Sequence, residues 1–275
     1  REHTWCQSWM PYVTESKDQY QDQHHIFPVE QNDANAVRNN HPLGIVTNVS
    51  STFWDFKYGT NSTGDDVGEP RNQHKGDAAR ALLYMTIRYD GVDSYTWNFN
   101  WLNGTKLPEL NEGEQDLNLL LQWHKQDPPD KWEVDRNNFI HYNQLNRNPF
   151  VDHPEYVNYI NFNDLTLLSP APVYSTEPSS YPSNFSLVNN GTSITLNWTV
   201  ASGSPNGYLV EAYNTDNYFI PIDGEVYAND NNLADGKGVL NISNPVNTCT
   251  FINTNSSSNY YYRLYSYNGS GTSIN

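Results

Sequence analysis

Three short segments carry side chains suited to metal-assisted hydrolysis of a phosphodiester: Glu2-His3, Asp22-Gln23-His24-His25, and Asn35-Ala36-Val37-Arg38-Asn39-Asn40. Carboxylate and carboxamide oxygens are ligands for a hard divalent cation, and a neutral imidazole beside them is a base near pH 7. Successive side chains of a regular strand point to opposite faces, so joint use of Glu2 and His3 requires an irregularity at residues 2–4. On the dipeptide alone, a surface pair of Glu2 with Arg1 and a capping role for His3 would explain both residues.

The second segment reads as a short strand from Asp22 to Pro28, with Ile26 and Phe27 as its apolar content. His24 and His25 lack the Cys or spaced third His of a familiar zinc site, and adjacent strand residues diverge, so one of them is expected to position rather than ligate. The third segment reads as a short helix over 32–40 with Asn32 or Asp33 as N-cap, which places Asn35 and Arg38 on one face. The Asn35 amide oxygen can complete an Mg²⁺ shell that keeps most of its waters. Arg38 could grip a phosphate or brace a carboxylate.

The elements around these residues fall into two halves. Before residue 169 the apolar period is helical: Ala79, Leu82, Leu83 and Ile87 form one face, and Leu117, Leu120 and Leu121 with His124 form another. Asp127-Pro128-Pro129 predicts a further helix capped by Asp127 and running through Trp132 and Ile140. Residues 169–182, with four prolines, read as an extended linker. From 183 the period becomes two, as in Ile194, Leu196 and Trp198, and Asn190-Gly191, Asn206-Gly207, Asp223-Gly224 and Asp235-Gly236 supply turns. The expectation is α+β: a helix-rich domain at 1–168 and an all-β antiparallel sandwich at 183–275.

With 275 residues, 36% of them hydrophobic, 20 Tyr and 8 Trp, the chain is far too aromatic for disorder. It has no apolar stretch of the ~18–20 residues that would span a bilayer. It opens on Arg1 without Met or signal sequence, as a processed product would. Cys6 and Cys249 lie in different predicted domains and are expected as buried free thiols rather than an interdomain bridge. The net charge is -16, and beyond Pro170 the only cations are Lys237 and Arg263. A binder of nucleic acid is expected to be basic, so activity on a polyanion would need a local cationic cleft and a metal.

Taken in order, Arg1-Glu2-His3-Thr4-Trp5, Asp22-Gln23-His24-His25-Ile26-Phe27-Pro28 and Asn35-x-x-Arg38-x-Asn40-x-Pro42-x-Gly44 resemble the bacterial endonuclease I family, whose site is a ββα-metal motif. Lys75-Gly76-Asp77-Ala78-Ala79-Arg80-Ala81, Trp123-His124-Lys125-Gln126-Asp127-Pro128 and Asn146-Arg147-Asn148-Pro149-Phe150-Val151-Asp152 continue the match, to about residue 165. Cys6 stands where Pro is usual and Gln23 where Leu is usual, and a helical region normally precedes the Arg-Glu-His motif.

The resemblance implies His3 as general base and Glu2 and Asn35 as ligands of Mg²⁺, or of Mn²⁺ or Ca²⁺. Arg38 joins the catalytic set, with Asp22, His24, His25 and Asn40 in support. It further implies a secreted bacterial endonuclease, extracellular or at the cell surface, that cuts DNA, RNA or both with little sequence specificity and leaves 5′-phosphates. Residues 183–275 resemble a fibronectin type III module, with Trp198 and Tyr262 as core aromatics and a spacer role or contact with a cell surface or polysaccharide. The competing reading is a surface adhesion or carbohydrate-binding protein with an inactive nuclease-like domain. The acidic charge favours that reading, and the presence of Glu2, His3 and Asn35 together favours the nuclease more strongly.

Overall fold

The computed structural model describes residues 2–10, 18–90, 109–110 and 113–275; Arg1, the first residue of the Arg-Glu-His motif, lies outside them. Two compact units emerge, one of residues 1–129 with 133–171 and one of 130–132 with 172–275.

The first unit opens with β1 (Glu2–His3), α1 (Asp18–Gln21) and β2 (Ile26–Phe27), followed by α2 (Ala36–Arg38). β1 and β2 pair antiparallel with Glu2 opposite Phe27 and His3 opposite Ile26. A three-stranded antiparallel sheet follows, β3 (Asn48–Phe53), β4 (Phe56–Thr60) and β5 (Asp66–Glu69), in that order. Its last strand leads into α3 (Lys75–Tyr89), the centre of the unit. Ala78, Ala79, Ala81, Leu82, Leu83, Tyr84 and Met85 are all buried, so this helix is enclosed on every side rather than amphipathic.

After β6 (Glu109–Leu110) and β7 (Gly113–Glu114), α4 (Leu117–Gln126) packs on α3 through Leu120 and Trp123. The Asp116 carboxylate caps it by accepting from Leu119 N at 3.2 Å. α5 (Lys131–Gln144) then begins later than the sequence predicts. Asp127 does not cap it. Its amide closes the end of α4 on Trp123 O, and its carboxylate accepts from Gly76 N at 2.8 Å, so Pro128 and Pro129 form the connection between helices. A Cβ on Gly76 would lie 1.8 Å from Asp127 O, which is why only glycine fits there. α6 (Pro149–Asp152), β8 (Ile160–Asn161) and β9 (Thr166–Leu167) complete the unit.

Behind these helices lies a buried polar network. Arg80 is fully enclosed and bonds Glu133, Asp77 and the carbonyl of Asp127, while Asn148 Nδ2 donates to Arg80 O at 3.2 Å. The later segments of the endonuclease I resemblance thus serve as framework.

The second unit is a sandwich of β10 (Ser183–Asn189), β11 (Ser193–Thr199) and β14 (Thr248–Ile252) against β12 (Gly207–Tyr213), β13 (Lys237–Ser243) and β15 (Tyr261–Tyr267). Alternation on β11 buries Ile194, Leu196 and Trp198 against Tyr208, Val210, Ala212 and Phe251. Trp198 meets Tyr208 edge-on, and Tyr262 packs half-buried at the rim of this core. β12 is buried along nearly its whole length, because Ile222 and Tyr227 cover its outer face near Leu209 and Tyr265. Part of the proline-rich segment is pinned to this unit, with Ser175 N bonded to Ser273 O at 2.9 Å. Cys6 and Cys249 are both buried free thiols.

Candidate functional site

β1 ends at His3 and the chain bends at Thr4, although the pairing with β2 is regular at Glu2 and His3 themselves. Cross-strand partners share a face of a two-stranded ribbon, so His3 stands with Ile26 on one side and Glu2 with Phe27 on the other.

Among the described residues, two hydrogen bonds orient the His3 ring. Nε2 lies 3.1 Å from the carbonyl oxygen of Tyr20, which can only accept, so Nε2 carries the proton. Nδ1 therefore presents its lone pair, at 3.1 Å from the Gln7 side-chain nitrogen. Gln7 also donates to the Tyr20 hydroxyl at 3.1 Å, and the Tyr20 ring lies 5.0 Å from the imidazole. Nothing in the sequence marks Gln7, Tyr20 or Gln19 as functional; the one signal is that Gln7 lies four residues beyond His3.

His25 is fully enclosed, 5.2 Å from the His3 ring, with Nε2 on Gln19 O at 2.9 Å. Burial, helped by the neighbouring His3, pushes its pKa down to about 3, so it is a neutral wall behind the base. His24 turns away, with Nε2 3.4 Å from Asn146 O and its ring edge-on to Tyr84. Burial lowers it to about 4 despite the charge of Asp22. The two histidines diverge as expected, but from a 3-10 turn, Gln23–His25, rather than a strand. The Asp22 side chain caps that turn. It accepts from His24 N, from Gln144, and from the hydroxyls of Tyr84 and Tyr89, each at 2.7 Å. Burial would raise its pKa, yet these donors hold it below the ordinary carboxylate value. With its oxygens so occupied, Asp22 is an anchor.

The third segment differs from the predicted simple helix. Gln31–Asn35 form a π turn whose cap is Glu30, not Asn32 or Asp33: its carboxylate accepts from Asn32 N at 2.7 Å and Asp33 N at 2.5 Å. The wide turn delivers Asn35 to the start of α2, where its side chain makes no capping bond to the helix. Asn35, Asn39 and Asn40 line a cleft of about 330 Å³ together with His3 and Gln7. Asn39 holds a positive φ of 50°, which is uncommon for a residue other than glycine, and Asn40 O accepts from Trp9 Nε1.

Arg38 is 1% exposed. Its Nη1 meets Glu2 Oε1 at 2.5 Å, its Nη2 donates to Thr4 O at 3.0 Å, and its guanidinium lies over Trp9. Of the two roles open to it in the sequence, this placement matches the bracing of a carboxylate; a guanidinium so enclosed does not reach a phosphate. Among the described residues, no group of three His, Cys, Asp or Glu is disposed to hold a metal. Asn35 lines the cleft beside His3, whereas Glu2, one of whose oxygens Arg38 holds, is not among the lining residues.

Residues 1–155 match the Endonuclease I family and residues 180–275 match the fibronectin type III domain. The chain is 38% identical over 162 residues to an extracellular ribonuclease of Bacillus subtilis (strain 168), covering 58% of this chain and 53% of that protein. It is 38% identical over 164 residues to an extracellular ribonuclease of Bacillus amyloliquefaciens, again 58% and 53%. To an extracellular deoxyribonuclease of Aeromonas hydrophila it is 31% identical over 86 residues, 31% and 29% of the two chains. The chain thus spans about half the length, or less, of these curated relatives. With its first 155 residues matched, the chain belongs to the endonuclease I family.

Proposed function

We propose that this protein is a secreted, metal-dependent endonuclease that hydrolyses phosphodiester bonds of RNA and DNA. The observation that carries the proposal is the His3 tautomer, with the proton held on Nε2 by the Tyr20 carbonyl and the Nδ1 lone pair beside the asparagine-lined cleft. A water that displaces the Gln7 amide from Nδ1 gives up its proton there as its oxygen bonds to phosphorus. The P–O3′ bond breaks, the 3′ oxygen takes a proton from solvent, and the 5′ phosphate remains on the other product. Glu2 and Asn35 are the residues that would hold a divalent cation, Mg²⁺ or alternatively Mn²⁺ or Ca²⁺, which when bound neutralises charge at the phosphate and leaving oxygen.

Arg38 acts through Glu2, holding that carboxylate in place, and Asp22, His24, His25 and Asn40 hold the frame around the base. The relatives named extracellular ribonuclease and extracellular deoxyribonuclease support both substrates and an extracellular location. Among the described residues no helix is long and apolar enough to cross a membrane. The sandwich serves as a spacer or surface-contact module, since Trp198 and Tyr208 are spent on its core.

The test is incubation with supercoiled plasmid and with RNA, in Mg²⁺ and then in EDTA. Cutting should depend on the metal, and His3→Ala should lower the rate by about 10²- to 10⁴-fold with the fold intact. No metal-dependent cutting of either polymer would refute the proposal.

A further inference from the structure

A second cleft lies on the His3 face of the β1–β2 ribbon. It encloses about 650 Å³ and is walled by Tyr20, Gln21, Gln23 and Ile26 on one side and by Arg136 and Phe139 of α5 on the other. Ile26 is the direct cross-strand partner of His3, and Tyr20 is the residue whose carbonyl fixes the His3 proton. The cleft is therefore continuous with the proposed base through two residues.

Two features of its walls are informative. Phe139 is 63% exposed, and Tyr142, three residues further along the helix, is 83% exposed. Phe139 lines the cleft with its ring open to solvent, which leaves an apolar face available to a flat ligand. Among the described residues, Arg136 is the one charged side chain in the lining, although the chain carries a net charge of -16. Its guanidinium is held in the wall by the carbonyls of Gln23 and Ile26, the latter at 3.0 Å, and it lies over Phe27. Its hydrogen-bond partners there are neutral carbonyls, while Glu133, Asp77 and Asp22 act on its charge through space, so the recess pairs a guanidinium with an aromatic ring in an acidic protein. That combination fits an unpaired nucleotide, with the base stacked on a ring and the backbone beside a guanidinium. A paired base offers no free face to such a ring.

We infer that Phe139 on α5, with Arg136 beneath it, forms a stacking platform for an unpaired base next to the bond being cut, so that single-stranded nucleic acid is the preferred substrate. This rests on the nuclease reading for its location but not for its measurement.

The test reads binding in EDTA, by fluorescence anisotropy of a labelled single-stranded oligonucleotide and of the matching blunt duplex, with oligonucleotide integrity checked on a gel. Phe139→Ala should weaken single-strand binding by about 5- to 150-fold and duplex binding much less. Phe139→Trp should restore single-strand binding or tighten it. Equal loss on both probes, or no loss on the single strand, would overturn the inference, as would a change of oligomeric state in sedimentation with affinity unaltered. Failure of the nuclease reading would show separately, as uncut plasmid and RNA with the anisotropy difference intact.

Discussion

Arg38→Lys separates a brace from a phosphate grip. A lysine at 38 can still reach Glu2, but a single ammonium cannot also span the Thr4 carbonyl that Nη2 holds at 3.0 Å. The lost bond is buried and charge-assisted, worth about 1.5–3 kcal/mol; the contact of Nη1 with His3 O, at 3.4 Å, adds little. A loss of about 2 kcal/mol, read from urea denaturation, corresponds to a Tm lower by roughly 4–8 °C for a unit of this size. Glu2 would then be less firmly held, so the Mg²⁺ concentration for half-maximal cutting should rise and kcat fall, while KM for nucleic acid changes least. If instead KM for the substrate rose with stability and metal requirement unaltered, Arg38 would be a substrate contact and the bracing argument would be wrong.

Two carboxyls should give opposite pH dependences. The folded-state pKa of Asp22 is lowered by its tyrosine hydroxyls and the His24 amide against the cost of burial, so its contribution is complete above the ordinary value of 3.8 and is lost as pH falls. Asp22→Asn should flatten that acid limb in urea midpoints of the first unit. Burial raises the Glu211 pKa well above the ordinary 4.5, against the Phe219 backbone and the Arg263 charge, so the proton it holds stabilises the sandwich at acidic pH. That contribution is lost as pH rises through the folded pKa, and Glu211→Gln should abolish the decline seen by calorimetry. Gly76→Ala should destabilise the helical unit by about 1–3 kcal/mol in denaturant, because the added methyl meets the backbone of Asp127; full retention of stability would show that the connection can shift.

The division into a helical part and a sandwich was legible because apolar period reports burial geometry directly, as in Ile194, Leu196 and Trp198. Side-chain types at the site were legible too. Direction was not. Whether Arg38 faces substrate or Glu2 depends on where α2 is laid against β1, a tertiary fact with no trace in spacing. Asp127-Pro128-Pro129 misled for a related reason: a cap before proline is a local preference, and the amide of Gly76, 51 residues away, claimed the carboxylate instead. The π turn at Gln31–Asn35 and its Glu30 cap had no pattern to announce them. Phe139 and Tyr142 carry no signal in the sequence, since their exposure is decided by what packs against α5.

The partner that sets the His3 proton is a main-chain oxygen. Every side chain can be exchanged by a single codon change, but a peptide carbonyl persists through all of them. The protonation pattern of the base is therefore insulated from point mutation at position 20 itself and is vulnerable only to insertions, deletions or bends that reroute α1. Among related sequences the number of residues between position 20 and the ribbon should accordingly be strict, while the tyrosine itself is held by its separate contacts with Gln7 and the His3 ring.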